Sequence, residues 1–92
     1  MHITLRQLKV FEAVARRLSH TRAAEELFLT QPTVSMQVGQ LERQLGVALF
    51  EQLGKRIHLT DAGREVYHYS RVIAQHLEEL EAVLAKPAAV RR

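Results

Sequence analysis

Two residues, Phe28 and Leu29, are all that separate one helix-forming segment from the next, and no other feature of the sequence restricts the fold as much. Before them, Ser19 or Thr21 can cap a short helix that turns Ala23, Ala24 and Leu27 inward and Glu25 and Glu26 outward. After them, Thr30 can cap a longer helix. So short a connection forces the two helices to meet at a steep angle. That is a helix-turn-helix, a unit whose second helix enters the major groove of DNA. Ala24 is small where the helices would touch, and Val34, ten residues on, supplies a buried branched side chain. Phe28 fits poorly, because a turn there favours Gly, Asn or His at positive φ.

The second helix runs from Thr30 to Leu45. Pro32 falls in its first turn, where a missing N–H costs nothing and a fixed φ helps, and Gly46 marks its end. Val34, Val38, Leu41 and Leu45 recur at three- and four-residue steps and form one narrow apolar stripe. The rest of the N-terminal half carries Gln31, Thr33, Ser35, Met36 and Gln37, with no carboxylate before Glu42. Short neutral hydrogen-bonding groups and one soft apolar tip suit base edges. Gln can bond adenine bidentately, Ser and Thr can bond bases or phosphates, and an apolar tip can meet a thymine methyl. Taken alone, the pattern also describes an ordinary solvated amphipathic helix, so its neighbours decide.

Upstream, Thr4 with Gln7 three positions on forms a capping box. It opens a helix with Leu5, Leu8, Phe11, Ala15 and Leu18 as its apolar positions, widened by Val10 and Val14. The bases on this helix, Arg6, Lys9, Arg16 and Arg17, are read as solvated charges, one or two of which can reach phosphate. Downstream, Val47, Ala48, Leu49 and Phe50 lead into a small hairpin with Leu53-Gly54-Lys55-Arg56 at its tip and Ile57-His58-Leu59 alternating as a strand. This is a wing. Lys55 and Arg56 could contact backbone phosphate or enter a minor groove, as loop-tip bases otherwise simply exposed to solvent.

Thr60 caps the last helix and Asp61 sits in its first turn, opposite the positive end of the dipole. The helix continues to about Ala85, before Pro87. Its seam reads Val66, Ser70, Ile73, Leu77, Leu80 and Leu84, in alternating steps of four and three. A helix of about 36 Å, at 1.5 Å per residue, is too long for so small a core to cover. Its far half needs a partner. We expect a homodimer built on that seam, the alternative being a further domain of the same polypeptide. The expected fold is thus mainly α: a winged helix-turn-helix with a two-stranded wing over residues 1–60, a linker or dimerisation helix over 61–86 and a tail over 87–92.

Composition narrows the function. A chain of 92 residues, 47% hydrophobic, holds one small domain and an extension. It has no Cys, so no disulfide and no thiolate metal site, and neither its N-terminus nor any apolar run suggests a leader or a membrane span. We expect a cytoplasmic protein. The net charge is +3, and the excess lies in the N-terminal two-thirds: nine bases against six acids through Arg64, then four against four. A polyanion partner would favour that distribution. His2, His20, His58, His68 and His76 stand apart without metal-ligand spacing, and the Gly residues form no phosphate loop. We therefore expect no enzyme, no cofactor and no metal.

With these pieces placed, the sequence closely resembles the N-terminal DNA-binding domain of LysR-type bacterial transcriptional regulators, over residues 3 to about 84. Its carriers are Leu5-Arg6-Gln7-Leu8 with Phe11, Ser19-His20-Thr21-Arg22-Ala23-Ala24 with Leu27, and Leu29-Thr30-Gln31-Pro32 with Val34-Ser35. Leu41-Glu42, Leu45-Gly46, Leu49-Phe50, Leu59-Thr60 and Ala62-Gly63 complete the set. Within the family, the run from Thr30 to Val38 is similar to the subgroup that regulates carbon-fixation (RuBisCO) operons. The resemblance implies binding to pseudo-palindromic promoter DNA through antiparallel pairing of linker helices, tetramers of full-length chains, and a small-molecule effector that alters DNA bending.

By position, it puts Gln31, Pro32, Thr33, Ser35 and Met36 in the major groove. Thr30 and Ser35 would also anchor phosphates and Arg56 would serve the wing; beside the resemblance, Arg22, Gln37 and Lys55 are expected to meet the backbone or a minor groove. Met36 stands where many members carry Arg or Lys, which favours a thymine methyl over guanine. Gly39 replaces a commonly basic residue, which weakens one phosphate contact and costs about 1 kcal/mol of helix propensity relative to Ala. The implied effector-binding domain is not in the sequence, which ends at Lys86-Pro87-Ala88-Ala89-Val90-Arg91-Arg92. DNA binding without metabolite control is the expectation. The competing readings are another winged-helix regulator family, such as the molybdate-responsive regulators, and a dimerisation module with no specific DNA binding.

Overall fold

The computed structural model of the chain describes residues 2–85, so Lys86 and the tail expected over 87–92 lie outside the described residues. Four helices and one hairpin follow in the order α1 (Leu5–Arg17), α2 (His20–Leu27), α3 (Gln31–Leu45), β1 (Phe50–Leu53), β2 (Arg56–Leu59) and α4 (Asp61–Leu84). Each helix starts where its cap dictates. Thr4 and Gln7 close the capping box, with Gln7 N donating to Thr4 Oγ1 and Thr4 N to Gln7 Oε1, both at 3.0 Å. Between the two candidates for α2, Ser19 is the cap: its Oγ accepts from Arg22 N at 3.1 Å. Thr30 and Thr60 accept from Thr33 N and Gly63 N and so begin α3 and α4.

The helix ends are less ordinary. Gly46 closes α3 in the left-handed region, as glycine readily does, but α1 and α2 end on Leu18 and Phe28, at φ 50° and 57°. A left-handed backbone costs a non-glycine residue about 1–2 kcal/mol. Phe28 N donates to Glu25 O and Leu29 N to Ala24 O, and these bonds hold the turn in the conformation that Phe28 alone would not choose.

Two apolar clusters share the core. Val10, Ala13 and Val14 of α1 pack with Ala23 and Ala24 of α2 and Val34 and Val38 of α3, so the helix-turn-helix is built around small α2 side chains against branched α3 ones. Leu8, Phe11 and Ala15 pack with Leu41 and Leu49, bordered by Val66, Tyr67 and Ile73 of α4. This corrects the stripe expected for α1. Val10 and Val14 are fully inside, whereas Leu5 and Leu18 at its two ends are exposed, because the helix is sandwiched on two sides in its middle and free at its tips. Phe50 joins the clusters, its ring 5.3 Å from that of Phe11.

β1 and β2 pair antiparallel with Phe50 opposite Leu59 and Leu53 opposite Arg56, leaving Gly54 and Lys55 as the turn. Gly54 takes φ 64°, as the first central residue of a tight hairpin turn often must. Glu42 ties this hairpin to α3: its carboxylate accepts from Leu49 N at 2.7 Å and Phe50 N at 3.4 Å. Thr60 Oγ1 donates to Ala48 O, and Gly63 passes so close to the Leu49 carbonyl that a Cβ could not be fitted there.

α4 leaves the body. Its first turns pack on α1, with Arg71 reaching Glu12 at 3.4 Å, and its last turns stand clear. The radius of gyration is 15.2 Å, against about 12 Å for a compact chain of this length. No helix among the described residues is long and apolar enough to cross a membrane.

Candidate nucleic-acid interface

The candidate surface begins at the N-terminus of α3. Val34 and Val38 are locked in the core, and this rotates the opposite side of the first two turns outward. Gln31, Pro32 and Met36 are exposed there, and Thr33, Ser35 and Gln37 are half-buried along the edges. Thr30 is exposed at the cap, its Oγ1 also 2.8 Å from Thr33 Oγ1. Gln31 Nε2 donates to Ser35 Oγ at 2.7 Å. The nearest carboxylate on the helix, Glu42, points to the Leu49 and Phe50 amides and away from this surface. The α3 N-terminus therefore combines a positive dipole end with a neutral face that repels no phosphate.

The wing adjoins it. Ile57 seats β2 against the cluster that holds Val34 and Val38, and alternation then turns Arg56 and His58 outward beside Lys55 in the turn. The bases sort into two groups. Arg16, Arg17, Arg64 and Arg71 are engaged in ion pairs within the chain. No ion pair among the described residues engages Arg6, Lys9, Arg22, Arg43, Lys55 or Arg56, all of which are exposed.

Arg16 and Arg17, expected as solvated charges, instead both grip Glu26, which draws that acid off the outer face of α2 and clamps α2 to α1. The hydrogen bonds from Arg16 and then Arg17 hold the Glu26 carboxyl at about 2, well below its ordinary 4.5. Arg16 is correspondingly pushed upward by Glu26 and Glu12. On the other side of α2, burial beside the Phe50 ring lowers the His20 pKa.

One base escapes the sequence reading. Arg43 extends back along α3 until its Nη1 lies 3.4 Å from where a Cβ on Gly39 would sit. Gly39 leaves room for it, and the four-residue spacing is the signal that could have found it. The turn residue Phe28 is 95% exposed, immediately before the α3 cap.

The second candidate surface is the seam of α4, and the structure divides it. Val66 and Ile73 border the chain's own core, and Ser70, 3% exposed, donates to Val66 O at 2.7 Å. Ser70 is therefore not at the partner interface expected of it; α1 covers it, because the first half of α4 packs on its own domain. Leu77, Leu80 and Leu84 are 40%, 53% and 57% exposed. Of these, Leu77 lines a groove of about 570 Å³ between α1 and α4, together with Leu5, Leu8, Ile73 and Ala74.

Among the described residues no group of three or more His, Cys, Asp and Glu side chains could hold a metal ion. Residues 5–64 match the family described as bacterial regulatory helix-turn-helix protein, lysR family. Over all 92 residues the chain is 64% identical to a RuBisCO operon transcriptional regulator of Allochromatium vinosum, covering 30% of that protein. It is 54% identical to the HTH-type transcriptional activator CmpR of Synechocystis sp. over 82 residues, 89% of this chain and 27% of that one. The chain thus spans under a third of these relatives.

Among solved structures, it is similar to the BenM_DBD/catB site 1 DNA complex, with a TM-score of 0.88, 29% identity, and coverage of 97% of this chain and 99% of that one. The CbnR_DBD–DNA complex gives a TM-score of 0.82 and 35% identity, covering 96% and 99%. With the family match over most of its length and relatives of this identity, the chain belongs to the LysR family of bacterial helix-turn-helix regulatory proteins and groups with RuBisCO operon regulators.

Proposed function

We propose that this chain binds promoter DNA sequence-specifically as a homodimer, each subunit reading one half-site with α3 while the wing grips the flanking backbone. The observation that carries this reading is the exposed, carboxylate-free face of α3 from Gln31 to Gln37, held from below by Val34 and Val38 and flanked by bases that no ion pair among the described residues engages. Gln31, Pro32, Thr33, Ser35 and Met36 meet base edges. Thr30, Arg22, Gln37, Lys55 and Arg56 meet phosphate or the minor groove, and Arg43 adds a cation where Gly39 lacks one. The DNA complexes of the similar BenM and CbnR domains support the partner.

The winged helix-turn-helix ahead of α4 is the reading unit and α4 (Asp61–Leu84) the pairing helix, with Leu77, Leu80 and Leu84 at the pairing face. The tetramer implied by the family resemblance belongs to longer chains, and no effector is assigned to these residues. The relatives are regulators, and we read this chain likewise as a non-enzymatic regulator acting on DNA in the bacterial cytoplasm, at carbon-fixation operons.

The test is binding of the purified chain to random duplex and to a selected pool across a salt series. Recovery of an inverted repeat bound at least about a thousandfold tighter than random DNA is the expected result. Half-sites should lie about one helical turn apart, or a multiple of it. Purely salt-driven binding with no enriched sequence would sink the reading.

A further inference from the structure

One contact on α3 does more than DNA binding in general requires. Gln31 Nε2 donates to Ser35 Oγ at 2.7 Å, one turn further along the helix. A free carboxamide offers two N–H donors and one oxygen acceptor. With one N–H committed, the exposed end of Gln31 has fewer ways to bond.

We propose that Ser35 is a positioning residue: by taking the amide N–H of Gln31 remote from Oε1, it leaves one donor beside one acceptor and makes Gln31 a reader of adenine. The inference rests on the reading of α3 as the base-contacting helix. In the major groove adenine shows its N7 acceptor beside its N6 donor. Guanine shows two acceptors, cytosine one donor, and thymine one acceptor beside a methyl. Adenine alone uses both groups that the tied amide keeps. An untied amide could turn a second N–H toward guanine, so Ser35 also works against guanine. Holding the side chain before DNA arrives removes part of the ordering cost of binding.

The test uses the whole chain and the duplex recovered by selection. Each adenine is replaced in turn by 7-deazaadenine, which lacks the N7 acceptor, and each A·T pair by G·C. One adenine per half-site should lose about tenfold or more in affinity on either replacement. Gln31→Ala should abolish the sensitivity at that position and leave the others. Ser35→Ala should reduce the adenine-over-guanine preference there by about fivefold or more with an unchanged salt slope, and Ser35→Thr, which keeps the hydroxyl, should restore it. Full preference retained by Ser35→Ala overturns the proposal. So does an equal loss on all sequences with a shallower salt slope, which would make Ser35 a phosphate anchor. An unchanged profile in Gln31→Ala removes Gln31 as a base reader and this proposal with it, while leaving sequence-specific binding intact. A chain that enriches no sequence at all fails at the earlier step.

Discussion

The N-terminal half of α3 and the C-terminal half of α4 are both helical faces open to solvent, and they differ in what lies beneath and around them. Under α3, Val34 and Val38 are buried among α1 and α2 side chains, so its outer face is presented on a firm base. That face is neutral and hydrogen-bonding. Under the last turns of α4 there is no such base; Leu77, Leu80, Val83 and Leu84 are exposed between Glu78, Glu79 and Glu81. An isolated helical segment of this length is marginal in water unless its apolar face is covered. A supported polar face is ready to recognise something, whereas an unsupported apolar one waits for cover, and the acids beside it make a polyanion the wrong partner.

The strongest way to break this comparison is Leu80→Asp. If the α4 face pairs two chains, this charge should abolish dimers in sedimentation and lower affinity for two-half-site DNA by about 10²- to 10⁴-fold, with single half-site affinity unchanged. A dimer that persists would mean that the bare α4 face is not what joins the chains. Next comes Gly63→Ala, at the junction between the two regions. Its Cβ would collide with the Leu49 carbonyl and approach Leu59 Cδ2 to 3.0 Å. A loss of about 1–3 kcal/mol in denaturant unfolding is expected, and a neutral result would show that α4 is not pinned to the wing.

Arg56→Ala should be milder and unselective. It should weaken binding to all sequences alike and flatten the salt slope by about 0.9, in contrast to the base-pair-specific loss expected of Gln31→Ala. The smallest effect concerns pH. His20 resists protonation in the folded chain, so stability should be level above its ordinary 6.5 and decline below it. Glu26 is held at about 2 from an ordinary 4.5, so the stability it contributes is present above 4.5 and lost as pH falls toward 2. Unfolding midpoints across this range should show both declines, the upper one flattened by His20→Asn and the lower by Glu26→Gln.

What can be read from the sequence is mostly what is local. Thr4 with Gln7, Thr30, Thr60, Gly46 and Gly54 act within three or four residues of themselves, and all stand in the structure as their chemistry requires. Phe28 is legible as a conflict, and the conflict is real: it occupies the left-handed position that the turn demands. Long-range partners are not legible. Nothing near Glu26 in sequence announces Arg16 and Arg17, and nothing near Glu42 announces the Leu49 and Phe50 amides. The α4 seam has the right period throughout, but period alone does not separate a helix packed on its own domain, as at Ser70, from one left bare, as at Leu80. On α3, the sequence singles out Gln31 and Ser35 as two candidates on one polar face, yet their bond to each other appears only in three dimensions.

The way α4 is fixed at one end has a mechanical consequence. Its N-terminal end is bound to the hairpin through Thr60 and Gly63 and to α1 through Arg71, while among the described residues its last turns are exposed. An uninterrupted rod of about 36 Å so mounted is a lever. Tilting it by about 5° about its distal end carries the proximal end through about 3 Å, close to the rise of roughly 3.4 Å for one base pair. If two such chains pair through α4, the distance between their reading heads would be set by an angle. A change too slight to disturb any packing inside a head would suffice to move it out of register with its half-site.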